Sequence, residues 1–164
     1  MRLAISTSCF VLAASAMCLA APASAQSYEP GRILKGIGIG DLRAIVASYQ
    51  DEVIEEGITE NPSLAARSTD GTVYLLLGTA CADQAIGCQG VNMQVRFDMD
   101  DADYALVNEI NMSEQACNTW FDAETKTLGV SRYVVLDYGI TMENLRENVN
   151  VLLAVSGNVA EYFE

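Results

Sequence analysis

Cys88-Gln89-Gly90-Val91-Asn92-Met93-Gln94-Val95-Arg96-Phe97-Asp98 is the stretch on which the fold turns. Val91, Met93, Val95 and Phe97 point one way along an extended chain, and Asn92, Gln94 and Arg96 point the other. A period of two over this length is that of a half-buried antiparallel strand. Just upstream, Thr72 to Thr79 carries Val73-Tyr74-Leu75-Leu76-Leu77. This run is apolar on both faces, which places it in the middle of a sheet. Ser63 to Ser68 reads as its partner strand. Thr69-Asp70-Gly71 joins the two and supplies the Asp-Gly hairpin signal. Ala80 to Gly87 is then a loop.

Further along, Asp100 or Asp101 caps a helix that carries Tyr104, Leu106, Val107 and Ile110 on one side. Asn118 to Asp122 reads as a short strand, Ala123 to Lys126 as a turn, and Thr127 to Tyr138 as a long strand broken by Gly139. Thr141 caps a terminal helix lined by Met142, Leu145, Val149, Leu152 and Val159 and closed by Phe163. Gly157 is expected to fray its last turns. Towards the N-terminus, Asp41 caps a helix whose stripe is Leu42, Ile45, Val46 and Tyr49, ending near Gln50. The element order is α-β-β-β-α-β-β-α. Strands run consecutively, so the class is α+β, with an antiparallel sheet of about five strands and three helices.

The first 25 residues read as a secretory signal peptide. Arg2 is the positive start, Cys9 to Ala21 the apolar run, and Ala23-Ser24-Ala25 the small-x-small cleavage signature. Cleavage after Ala25 is expected, which places the mature chain in the periplasm or outside the cell. Cys18 is a poor lipidation site, because Met17 before it is not small. Residues 26–40 read as a flexible leader and 41–164 as a single domain. Removing 25 of 164 residues leaves 139, enough for one core.

The chain has nine basic and 22 acidic residues and a formal charge of −13; loss of Arg2 makes it −14. Such a surface repels nucleic acid and anionic lipid, so neither is an expected partner, and no stable membrane insertion is expected. The sequence contains no histidine. This excludes Ser-His-Asp and Cys-His chemistry and removes the commonest transition-metal ligand. Of the cysteines, Cys81, Cys88 and Cys117 lie beyond the leader. In an oxidising compartment Cys81 and Cys88 are natural disulfide partners, which leaves Cys117 a free buried thiol or an intermolecular link.

Four other features invite a reading. Gly36-Ile37-Gly38-Ile39-Gly40 precedes a helix, but it lacks the preceding strand and the Gly-Lys-Ser/Thr of a phosphate loop, so it is an entry to the helix. Asp98-Met99-Asp100-Asp101-Ala102-Asp103 resembles half a calcium loop in the wrong register, and helix capping explains it better than a weak calcium site. Glu52, Glu55 and Glu56 beside Val53 and Ile54 read as a solvated edge open to a basic partner. Trp120 and Phe121 are adjacent in a strand, so they face opposite sides. If one sheet face is open, Trp120 is a candidate interface residue.

Several of these segments together resemble the YbjN family of bacterial proteins. The matching stretches are the Asp41-Leu42-Arg43-Ala44 helix, the strand Val91 to Asp98, Val107-Asn108-Glu109-Ile110-Asn111, Trp120-Phe121-Asp122, and Gly139-Ile140-Thr141-x-Glu143-Asn144-Leu145-Arg146-x-Asn148. The chain departs from the family at Ile110, where Trp is usual. It also departs at Gln115 to Thr119, where a basic segment is usual. The resemblance implies a fold similar to type III secretion chaperones and a homodimer. It carries over no catalytic, cofactor or metal residue, so none is expected. The function expected is that of an exported, non-catalytic, chaperone-like or regulatory protein acting through protein contacts. The alternatives are a carboxylate-dependent hydrolase and an envelope structural or inhibitor module presenting the 81–88 loop.

Overall fold

The computed structural model describes residues 27–58, 61–82 and 87–163. The segment read as a signal peptide, with Cys18 and the cleavage expected after Ala25, lies outside these residues. In chain order the elements are β1 (Ile33–Leu34), α1 (Ile39–Ser48), β2 (Glu52–Gly57), β3 (Ser63–Arg67), β4 (Val73–Thr79), β5 (Gly90–Asp98), α2 (Tyr104–Ser113), β6 (Asn118–Asp122), β7 (Thr127–Val135), β8 (Ile140–Thr141) and α3 (Met142–Ala160), followed by a 3-10 turn over Glu161–Phe163. The class is α+β, as the element order predicts. The main sheet has six strands in the order β2-β3-β4-β5-β7-β6, and β1 and β8 form a second sheet of two. Every pairing is antiparallel.

The doubly apolar β4 and the alternating β5 are the central pair. One face of the sheet carries Leu64, Ala66, Tyr74, Leu76, Val91, Met93, Val95, Leu128 and Val130, all buried. Helices α1 and α3 pack on that face. The α3 stripe Met142, Leu145, Val149, Leu152 and Val159 is buried as its spacing predicts. Thr141 caps α3 by accepting the Asn144 N–H at 3.1 Å. Gly157 does not fray the helix, which runs on to Ala160.

Four sequence expectations are corrected. The acidic run Glu52 to Glu56 belongs to a sixth main-sheet strand, β2, at the sheet edge. A bulge between Val53 and Glu55 breaks its alternation, which is why no period of two showed. Asp41 is not the N-cap of α1; Gly38 is, and Asp41 sits one turn in, where its Oδ2 accepts the Gly38 N–H at 2.9 Å. The cap of α2 is neither Asp100 nor Asp101 but Asp103, which accepts the Leu106 N–H at 2.8 Å. β7 ends at Val135, and Tyr138 and Gly139 form a tight turn with positive φ into β8.

The leader is not separate from the fold. Its residues Leu34 and Ile37 are buried, β1 pairs with β8, and Ile37 exchanges both backbone hydrogen bonds with Cys88 at 3.0 Å. At the edge of the sheet opposite β2, α2 closes the β6 strand. The Asn111 amide accepts from the Thr119 N–H at 2.8 Å and donates to the Thr119 C=O at 3.0 Å, as a neighbouring strand would.

Two tyrosines tie the helical layer together and set a limit on alkaline stability. The Tyr74 hydroxyl, deep in the core, donates to Asp51 Oδ2 at 2.8 Å, and burial raises its pKa. Tyr49 donates to the Arg146 C=O at 2.5 Å, and burial pushes it up to about 12. The folded state therefore holds these protons where the unfolded chain, with ordinary tyrosines near 10.0, has released them. Their contribution is fully present below pH 10 and is lost as pH rises through the folded values. The denaturant midpoint is expected to be flat up to that pH and then to fall, and Tyr74→Phe should make the fall shallower. A midpoint indifferent to pH up to 12 would contradict this.

Candidate functional site

The sheet has two faces and the helices cover one. α1 meets β2 and β3, α3 meets β5 and β7, and α2 lies along β6. Arg43 of α1 pairs with Glu56, and Arg132 of β7 donates to Asn148 of α3 at 2.7 Å. Glu56 and Arg132 therefore mark the helical side, and alternation puts their neighbours Glu55, Ser131 and Tyr133 on the other.

Register builds this second face row by row. Gly57, Ser63, Leu77, Asn92 and Tyr133 lie side by side on successive strands; so do Glu55, Ala65, Leu75, Gln94, Ser131 and Asn118. The third row is Glu52, Arg67, Val73, Arg96, Gly129 and Trp120, in which Arg96, Gly129 and Trp120 lie abreast on β5, β7 and β6. Val73 on β4 and Tyr133 and Val135 on β7 are 43%, 55% and 53% exposed, and no helix among the described residues lies over them.

Small residues shape the relief of this face. Gly129 is bare so that the Trp120 ring can lie flat on the strand; a Cβ there would overlap the ring. Gly90 gives the same room to Tyr133, whose hydroxyl accepts from Thr79 Oγ1 at 3.1 Å. Arg96 lies over Trp120, its Cζ 5.8 Å from the ring centroid, and its Nε and Nη2 both donate to Gln94 Oε1. Across the sheet the relief inverts. Glu55, Gly57, Ser63, Ala65, Leu75 and Leu77 surround an open hollow of about 180 Å³.

The predicted site residues divide between the faces. Trp120 is on the open face, half-buried on its glycine. Phe121 turns to the helical side and meets Tyr104 edge-on at 6.0 Å. The three glutamates do not form one acidic surface. Glu52 pairs with Arg67 at 3.0 Å on the open face, while Glu56 pairs with Arg43 on the other, which lowers its pKa. Glu55 stands at the rim of the hollow without an ion pair among the described residues. The sequence reading missed Arg96, Tyr133 and the hollow. The signal for the first two was Gly90 and Gly129 inside strands, since a lone strand glycine marks a close approach.

Cys81 and Cys88 form a disulfide, and Cys117 is a free, half-buried thiol whose pKa is raised by burial, against a lowering by Arg132. Among the described residues no three Asp, Glu or Cys side chains gather to hold a metal ion. No helix among them is long and apolar enough to cross a membrane.

The family model YbjN, described as "Putative bacterial sensory transduction regulator", matches residues 42–164, most of the chain. The chain belongs to the YbjN family. No curated protein matches. Among solved structures, an uncharacterized protein from Methanothermobacter thermautotrophicus is similar, with a TM-score of 0.51 and 8% identity over 74% of this chain and 92% of that one. At that identity the likeness is one of fold. The arm that carries β1 and Ile37 lies before the matched region.

Proposed function

We propose that this YbjN protein is an exported, non-catalytic regulatory protein that acts by holding a protein partner on the helix-free face of its sheet. One observation carries the reading. A six-stranded sheet with a packed helical side leaves Val73 and Tyr133 exposed and Leu75, Leu77 and Trp120 half-buried on the other, with no helix among the described residues over them. Exposed apolar surface of this kind on a rigid scaffold is a recognition surface. Its aromatic and Arg composition, Trp120, Tyr133 and Arg96, is that of a protein-binding patch. Export supplies the compartment in which the Cys81–Cys88 bond persists. The hydrolase alternative gains nothing from the acidic run, because Glu52 and Glu56 are held in ion pairs on opposite faces.

The test is affinity capture from envelope extract with wild type and Leu77→Glu in parallel. Leu77 is half-exposed in mid-face, so the change places a charge on the binding surface without entering the core. Wild type is expected to retain a protein that Leu77→Glu loses at least about tenfold, equivalent to about 1.4 kcal/mol, with circular dichroism unchanged. Capture indifferent to the substitution, or a hydrolytic activity abolished by a single Glu→Gln change, would overturn the reading.

A further inference from the structure

We propose that the outer edge of β2 takes up an extended, basic segment of a partner protein as a seventh strand of the main sheet. The two edges of that sheet differ. At β6 the Asn111 amide of α2 occupies the N–H and C=O of Thr119, so that edge is closed. β2 is the other border strand, six residues long, and no described strand pairs with its outer side.

Register decides which backbone groups are free on β2. Ser68 donates to the Thr72 C=O at 2.9 Å, and Gly78 to the Pro62 C=O at 2.8 Å. Even-numbered residues of β3 therefore bond to β4, and Ser63 and Ala65 turn their backbone to Gly57 and Glu55 of β2. Glu56 and Ile58 alternate with these, so their N–H and C=O point off the sheet. An extended chain pairs with such a row through main-chain hydrogen bonds, and its side chains then decide which chain is held.

Val53, Ile54 and Ile58 are exposed along this edge and offer aliphatic residues of an added strand a surface to pack on. On the open face the same edge leads into the hollow of about 180 Å³. Gly57 borders the hollow with no side chain to close it, and Ala65, Leu75 and Leu77 line it with apolar surface. Glu55 stands at the rim without an ion pair among the described residues. A lysine or arginine of the added strand can lay its stem across Gly57 onto that surface and set its charge beside Glu55. Strand side chains alternate between faces, so the segment that fits alternates basic and aliphatic residues.

Charge selects this occupant over a second β2. Pairing β2 with itself would set Glu52, Glu55 and Glu56 of one copy along those of another, in chains of formal charge −13. The same field draws a basic segment in. One added strand buries less than a standard interface, so a dissociation constant of about 10–100 μM is expected.

The experiment uses the mature chain and a capped peptide alternating lysine and valine, about six residues long to match β2. Titration calorimetry gives the affinity, and hydrogen exchange reads the Glu56 and Ile58 amides. Saturable binding is expected, with slower exchange at both amides and no binding of the corresponding glutamate–valine peptide. Methylating the backbone nitrogens of the lysine–valine peptide keeps its charge and should weaken binding at least about tenfold. Glu55→Lys, on an exposed edge, should weaken it at least about fivefold, with circular dichroism unchanged. A lysine–valine peptide that does not bind at about 1 mM, that leaves both amides unprotected, or that binds equally when methylated or to Glu55→Lys overturns the inference. So does protection of both amides that grows with chain concentration alone, which would seat a second copy there. The edge borders the proposed partner-binding face and shares its hollow, and the two readings fail separately. If the peptide fails while Leu77→Glu still abolishes capture from envelope extract, the face stands and the edge is wrong. If the peptide protects both amides while Leu77→Glu leaves capture unchanged, the edge stands and the face reading falls.

Discussion

Asp41→Ala is expected to destabilise the protein by about 3 kcal/mol. The carboxylate is nearly buried, its side chain 9% exposed, and both oxygens are used. Oδ1 accepts from Arg32 Nη2 at 2.5 Å and Oδ2 from the Gly38 N–H at 2.9 Å. Truncation leaves a guanidinium whose Nε already has no hydrogen-bond partner among the described atoms, together with an unsatisfied donor at the start of α1. Breaking a fully buried pair costs about 3–5 kcal/mol, and the 24% exposure of Arg32 puts this one at the lower end. Asp41→Asn keeps the Gly38 contact and should lose about half as much. The check is the urea midpoint of both variants and of Arg32→Ala/Asp41→Ala. The double variant should be no worse than Asp41→Ala alone, because the orphaned charge has gone. A loss below about 1 kcal/mol would show that water screens the pair.

The parts of the fold legible in the sequence are those where one side chain pattern answers to one layer. β5 alternates because its neighbours on both sides are strands and only one of its faces meets a helix. The α3 stripe is continuous because a single sheet lies beneath it. β2 was hidden because it is an edge. Its bulge destroys the alternation, and its charges are there to blunt the unpaired side of a strand. β1 and β8 were hidden for another reason. Each has two residues, too few to show a period, and each exists only because the other lies opposite, more than a hundred positions away.

The candidate site was legible only in part, for the same reason. Trp120 stands out in any reading, but its importance comes from register, which puts it beside Gly129 and Arg96. Glu52, Glu55 and Glu56 read as one acidic surface because they are close in sequence. The bulge keeps Glu52 and Glu55 on one face and Glu56 on the other, and two of the three are already paired.

Removal of the disulfide in Cys81→Ser/Cys88→Ser is expected to cost about 2.5 kcal/mol and to loosen the N-terminal arm first. A closed loop of this length gains roughly that from the restricted unfolded chain. The bond also has a local task. Cys88 is buried, Ile37 holds its N–H and C=O on one side, and its Sγ lies against Gly78 on the other, where a Cβ would come within 3.0 Å of it. Gly36 packs as tightly on the Gly87 backbone. The cystine thus fixes the ridge on which the arm, outside the family-matched region, is seated. Without it the ridge gains freedom, while β4 and β5 keep their own pairing. Hydrogen exchange at the Ile37 and Cys88 amides should therefore rise well before exchange at Leu76 or Met93, and reduction with a dithiol should reproduce the pattern in the wild type. Uniform acceleration over the whole sheet would mean that the bond serves global stability alone; an unchanged denaturation midpoint would mean that it serves neither.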